Sequence, residues 1–169
     1  DVTSARNSGK SEEKNMLRSR LAADHCYVLD RWYAQFTLFN EIHAIGSSYV
    51  CRIRDNSSWK VIDDRPLSTT TQEPNVLQDA IVELGSGERP DHPVRLVLVK
   101  VSPHKKTGGR KGGTAGPPSD GILRIATNLL DVPAELIADI YRHRWTIEIF
   151  FRFFKHVLGC RHLLSQDRV

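Results

Sequence analysis

Residues 133–159 read PAELIADIYRHRWTIEIFFRFFKHVLG, and the other segments are understood from this one. Pro133 suits the first turn of a helix, where a missing N–H costs nothing, and Gly159 suits the position just past a helix end. No breaker stands between them, so the stretch predicts one helix. At about 100° per residue, Tyr141, Arg144, Glu148 and Lys155 share a stripe roughly 60° wide along its axis. Ile147, Phe150, Phe151, Phe154 and Leu158 fill an apolar arc of about 100° beside the stripe, and Trp145, Ile149 and Phe153 flank its other edge. A helix apolar around most of its circumference is buried. Its one polar stripe then either forms internal ion pairs or lines a wet cleft.

Two readings of the stripe stand side by side. Arg144 and Glu148, at i and i+4, suit an ordinary helix ion pair worth a few tenths of a kcal/mol. The stripe is longer than that pair needs, however. A carboxylate between two cations and a phenol, framed by aromatics, suits a metal-bound phosphate: Glu148 to the cation, Arg144 and Lys155 to phosphate oxygens, Tyr141 as donor or stacking surface.

Outward from this helix, residues 11–21 read as a short helix with a serine cap and Glu in the first turn. Residues 25–29 read as a buried strand ending at Asp30, and residues 36–45 as an amphipathic helix with Phe36, Phe39, Ile42 and Ile45 stepping by three. Gly46 stops that helix, and residues 49–54 form the next strand. Helix, strand, helix, strand is an α/β arrangement with parallel strands. Beyond Asn56 the texture changes: residues 59–62, 80–84, 94–101 and 122–127 read as strands between polar, turn-rich stretches, with no useful helix between residues 57 and 120. The class is α/β with a β-rich insertion before the final helix.

The spacing Tyr141-x2-Arg144-x3-Glu148-x6-Lys155 resembles the Tyr-Arg-Glu-Lys signature of the DDE transposases encoded by one large class of bacterial insertion sequences. YVLDRWY, residues 27–33, looks like their second catalytic motif, an Asp ending a strand and usually followed by Arg, Gly and Tyr. Trp32 stands where many of them carry glycine, and it either stacks on a base or packs beside the active site. The resemblance covers the whole chain. It implies a partial ribonuclease-H-like core in residues 1–56, a β-rich insertion in residues 57–130, and the catalytic helix with a C-terminal tail in residues 131–169. It also implies that Asp30 and Glu148 are the catalytic, metal-binding residues for Mg²⁺ or Mn²⁺, with Tyr141, Arg144 and Lys155 orienting phosphates. Double-stranded DNA, at element ends and target, would be the partner, and the complete protein would act as a homodimer. The family's first catalytic Asp lies on the first core strand, a hairpin and a helix upstream of the second. Asp1 stands too close to Asp30 for that role, so the expectation is a chain without the first Asp, inactive alone. The opening Asp1-Val2-Thr3 and a single methionine, Met16, agree with a fragment.

The remaining composition narrows the possibilities. The chain has 169 residues, enough for one domain with an insertion, and a formal charge of only +4. Residues 141–169 hold six Lys or Arg against Glu148 and Asp167. Residues 100–116 carry Lys100, Lys105, Lys106, Arg110 and Lys111 with five glycines and no acid: a loop that grips DNA phosphates, or a solvated surface loop. There is no apolar run of about 18 residues and no signal peptide, which points to a cytoplasmic, nucleoid-associated bacterial protein rather than a membrane one. Cys26, Cys51 and Cys160 lack CxxC spacing and read as reduced, mostly buried thiols. His156, Cys160 and His162 straddle Gly159, where helical geometry breaks, so they do not read as a metal site. Gly9-Lys10-Ser11 lacks the upstream glycine and strand of a phosphate-binding loop.

Asp30 read by itself is also a strand-end residue capping a turn. It lies far from Glu148 in the chain, so only a fold could bring the two together. The leading reading is a transposase fragment whose chemistry is metal-dependent DNA cleavage and strand transfer. One alternative is a truncated, catalytically inactive remnant that binds DNA and interferes with the full-length enzyme. Another is an unrelated nuclease on the same core, against which the Tyr-Arg-Glu-Lys set argues.

Overall fold

The computed structural model describes the backbone of residues 9–67, 75–101 and 120–156, and the side chains of residues 12–67, 75–101, 120–144 and 146. Among the described residues six strands form one sheet in the order β1-β2-β6-β5-β4-β3. Its parallel part is a β-α-β unit: β1 (Cys26–Leu29), helix α2 (Phe36–Ala44) and β2 (Ser48–Arg52), preceded by helix α1 (Gly9–Ser19). β1 and β2 pair in parallel, with Leu29 opposite Cys51. Gly46 makes the turn between α2 and β2 in the left-handed region, φ 74°, where a side chain would be strained.

The rest of the sheet is antiparallel. β6 (Ile122–Thr127) pairs with β2 on one side and β5 (Val94–Lys100) on the other. Beyond β5 come β4 (Val76–Leu84) and, at the far edge, β3 (Trp59–Asp64). The strands expected beyond residue 57 are thus present and continue the sheet that the β-α-β unit begins. No helix occurs among the described residues between 57 and 120.

Two layers of side chains cover the sheet. On one face, Leu38, Phe39 and Ile42 of α2 pack with Tyr49, Cys51, Ile53, Leu84 and Leu96. On the other, Ile137, Ala138 and Tyr141 of helix α3 (Ala134–His156) pack with Val50, Val97, Val99 and Ile125. Tyr49 and Cys51 face one layer while Val50 faces the other, as the two-residue period of a strand requires. Each fully buried Leu, Ile or Phe contributes about 1.5–3 kcal/mol, so these clusters hold both helices in place.

Three expectations are corrected. Among the described residues β1 has a neighbouring strand on one side, and of its own residues Leu29 alone is buried. The apolar face of α2 is Leu38, Phe39 and Ile42, while Ile45 follows the last helical turn and is 36% exposed. Cys51 is a buried thiol but Cys26 is exposed, and Cys160 lies outside the described residues.

A buried ion pair anchors the approach to α3. The Arg95 guanidinium, on β5, donates from Nε and Nη2 to both oxygens of Asp79, each at 2.7 Å. Its Nη1 donates to the carbonyls of Leu129 at 3.0 Å, Leu130 at 3.3 Å, and Val132. Arg65 adds a further bond to the Leu130 carbonyl. The loop that launches α3 is therefore pinned by two arginines, Arg95 within β5 and Arg65 just past the end of β3.

Candidate active site at the ends of β1 and β2

Because β1 and β2 are parallel neighbours, their C-terminal ends emerge at the same edge of the sheet, the place where α/β proteins bind ligands. Asp30 follows β1. Its backbone is extended, φ −75° and ψ 161°, and it caps a single 3-10 turn, Arg31–Tyr33. One carboxylate oxygen, Oδ1, accepts the Trp32 backbone N–H at 3.2 Å. The other, Oδ2, lies 3.2 Å from Nη2 of Arg144 on α3. The turn-capping and functional readings of Asp30 are therefore compatible: one oxygen caps, and the other faces the helix.

Arg144 stands over the ring of Tyr141, its guanidinium carbon 5.3 Å from the ring centroid. Tyr141 is 0% exposed and belongs to the core layer beneath α3. Burial pushes its phenol above the ordinary range and Asp30 adds to that, while the neighbouring Arg144 pulls the other way. The stripe rolls into the core at its first residue, and Tyr141 supports Arg144 from below. Cys51 lies under the same corner, its Sγ donating to the Asp30 carbonyl at 3.6 Å. Burial, reinforced by Asp30, raises its thiol far above the usual range, so it is protonated and unreactive.

The sequence also placed Glu148 and Lys155 on this stripe. Both are in α3, and their side chains lie outside the described residues. Helix geometry puts residue 148 about 6 Å further along the axis than Arg144 and about 40° around it. Lys105, Lys106, Arg110 and Lys111 fall in residues 102–119, outside the described residues.

Residues that the sequence reading left as a strand end complete the rim. A cleft of about 810 Å³ is lined by Asp30, Arg31 and Trp32 after β1 and by Arg54, Asp55 and Asn56 after β2. The signal for the second group was the β-α-β order itself, since two parallel neighbours must end together. Asp55 is held between Arg52, at 3.5 Å, and Arg124, at 3.7 Å. Arg124 in turn pairs with Asp120 at 2.6 Å and, by that hydrogen bond first, holds the Asp120 carboxyl down at about 2. Asp30 and Asp55 are hard oxygen donors on a rim open to water, and such donors suit Mg²⁺ or Mn²⁺ better than zinc. No group of three or more His, Cys, Asp or Glu side chains that could hold a metal ion occurs among the described residues. The donors present fit the cation in kind, and Glu148 is the carboxylate that α3 would add.

Carboxylate chemistry at the end of a β-α-β unit, with cations from a neighbouring helix, is the class of site this fold defines. Residues 1–169 match the family described as Transposase DDE domain, and the chain belongs to that family. It is similar to "Putative transposase y4zB" of Sinorhizobium fredii (strain NBRC 101917 / NGR234), with 27% identity over 142 residues, which cover 83% of this chain and 36% of that protein. It is also similar to "Probable transposase for insertion sequence element IS5377" of Geobacillus stearothermophilus, with 50% identity over 37 residues, 22% of this chain and 10% of that protein. The chain thus spans about a third of the first relative's length. The resemblance read from the sequence is borne out as that of a bacterial insertion-sequence DDE transposase, and the mixed sheet agrees with a partial ribonuclease-H-like core. Among the described residues no helix is long and apolar enough to cross a membrane.

Proposed function

We propose that this chain is the part of an insertion-sequence transposase, of the Tyr-Arg-Glu-Lys class, that carries its second catalytic Asp and its catalytic Glu. The complete protein cleaves DNA at element ends and joins the freed 3′ hydroxyl to target DNA. The observation that carries this reading is the pair Asp30–Arg144, 3.2 Å apart, which joins two motifs distant in sequence at one sheet edge. Asp30 and Glu148 are the proposed metal ligands. Divalent cations, which DDE transposases generally use, supply activation of the attacking water or 3′ hydroxyl and stabilisation of the leaving oxygen.

In this reading Arg144, steadied by the Tyr141 ring, keeps a guanidinium beside the carboxylate and within reach of a phosphate oxygen. Lys155 continues the cationic row further along α3, and the basic residues Lys105, Lys106, Arg110 and Lys111 grip the duplex backbone. The proposed division is a partial core in residues 1–56, an insertion in residues 57–130 that both widens the sheet and pins α3, and the catalytic helix and tail in residues 131–169. Paired element ends call for a homodimer of the complete protein acting in the bacterial cytoplasm. In the complete protein, Glu148→Ala abolishes Mg²⁺-dependent cleavage of an element-end duplex while its affinity for that duplex changes by less than about threefold. Cleavage at the wild-type rate would refute the assignment.

A further inference from the structure

Helix α3 is held to the sheet in two ways that do different things. Apolar packing of Ile137, Ala138 and Tyr141 keeps its inner face out of water, but such contacts have no preferred direction and set its tilt only loosely. Hydrogen bonds do have direction, and they fasten the loop before α3 at successive residues. The Asn128 side chain donates to the Ser47 carbonyl and accepts the Tyr49 N–H, each at 3.0 Å. The Leu129 N–H donates to the Thr127 hydroxyl at 3.1 Å. The Leu129, Leu130 and Val132 carbonyls all accept from Arg95, and Leu130 accepts from Arg65 as well. Pro133, with its φ fixed by the ring, follows at once and opens the first turn of α3.

The choice of a buried arginine for this task is informative. A buried ion pair gives little net stability over apolar side chains of the same volume, because desolvation offsets the attraction. What an apolar pair lacks is donors. Asp79 takes Nε and Nη2 of Arg95, each at 2.7 Å, which fixes the plane of the guanidinium and aims the remaining Nη1 at the loop. Asp79 Oδ2 also lies 4.0 Å from Arg65 Nε, so one carboxylate orients both arginines. The helix acts as a lever on this hinge. Arg144 lies about 15 Å along the axis from Ala134, so a tilt of about 10° at the loop moves it by about 2–3 Å. That is nearly the whole 3.2 Å between Arg144 and Asp30.

We propose that Arg95 and Asp79 are positioning residues for the reaction. Neither is among the described residues that line the cleft. By holding the loop carbonyls they set the tilt of α3, and with it the placement of Arg144, and of Glu148 further along, against Asp30. The reaction itself is taken from the transposase reading above, whereas the control of α3 by the loop stands apart from it.

Two measurements test this. In this chain, carrying Cys26→Ser and Cys160→Ser, nitroxides on Ala44→Cys of α2 and His143→Cys of α3, both exposed positions, report the tilt of α3 by pulsed electron–electron resonance. The buried Cys51 thiol takes no label. Arg95→Met combined with Asp79→Leu keeps the interior filled but gives the loop carbonyls no donor from Arg95. Its nitroxide distance shifts or broadens by about 2–3 Å while its urea midpoint stays near that of the wild type. In the complete protein the same two changes slow single-turnover cleavage of an element-end duplex roughly a hundredfold at saturating DNA, with affinity for the duplex within about threefold of wild type. Arg95→Lys keeps the charge beside Asp79 without the fork and gives an intermediate loss, and it carries the comparison if the double variant does not fold. An unchanged nitroxide distance, or wild-type cleavage by a variant whose α3 has moved, would overturn the proposal. A wild-type complete protein that cuts no element-end DNA removes the transposase reading instead, and the nitroxide distances then still decide whether the loop sets α3.

Discussion

At the residue scale, the side chains that matter are held by one partner and aimed at another. Asp30 gives one oxygen to its own turn and one to Arg144, and Arg144 rests on a buried ring. At 38% and 15% side-chain exposure, the Asp30–Arg144 pair contributes about 1 kcal/mol or less to stability, so its importance is geometric. A second linked set lies at the other end of the parallel strands. The His92 ring, 1% exposed, stands 3.0 Å from the Tyr49 hydroxyl and 3.0 Å from Asp91 Oδ1, and stacks on His43 with centroids 4.2 Å apart. Burial lowers its pKa first and His43 lowers it further, while Asp91 opposes both. The unfolded chain therefore takes up this proton at higher pH than the folded one. Stability from His92 is complete above about pH 6.5 and declines as the pH falls below it. Thermal melts between pH 7.5 and 5.5 check this: the midpoint drops towards acid in the wild type, and the drop is smaller in His92→Gln, which loses about 1–2 kcal/mol at pH 7.5. An identical acid slope in the variant would count against His92 as its source.

At the element scale, α3 is positioned by strands that bear none of the proposed catalytic residues. Arg95 and Asp79, 1% and 5% exposed, form a two-pronged pair between β5 and β4 and fasten the carbonyls of the loop before α3. Removing one partner strands the other charge without water. Arg95→Met should cost about 3–5 kcal/mol, whereas Arg95→Met with Asp79→Leu should recover most of the loss. Urea midpoints of the two variants measure the difference, and equal destabilisation by both would show that the carbonyl contacts, not the ion pair, carry the energy. The periodicity of residues 133–159 made α3 legible, with Pro133 marking its start. Arg95 was not legible as its anchor, because an arginine inside the run VRLVLVK reads as an outward-facing strand residue. Covering both faces of a central strand leaves no outward side.

At the scale of the whole molecule, the sheet is strongest at its centre. Among the described residues, β2, β6, β5 and β4 each have a strand on both sides, β1 and β3 have one, and β3 keeps most of its side chains in solvent. Amide exchange followed by NMR should be slowest in β5 and β6 and fastest among the strands in β3, and comparable rates in β3 and β5 would contradict this sheet order. Local patterns in the sequence already determined the elements: β-branched runs marked the strands, a three-to-four-residue apolar step marked α2 and α3, and the order of segments around Asp30 required a parallel pair. They also carried the family resemblance, since its motifs are spacings along the chain. The tertiary structure alone decided that β6 slips between β2 and β5, that Tyr141 goes inward while Arg144 reaches Asp30, and that Arg54, Asp55 and Asn56 share a cleft with Trp32. Periodicity records which side of an element avoids water, whereas these outcomes depend on which buried surfaces fit one another across long separations in the chain.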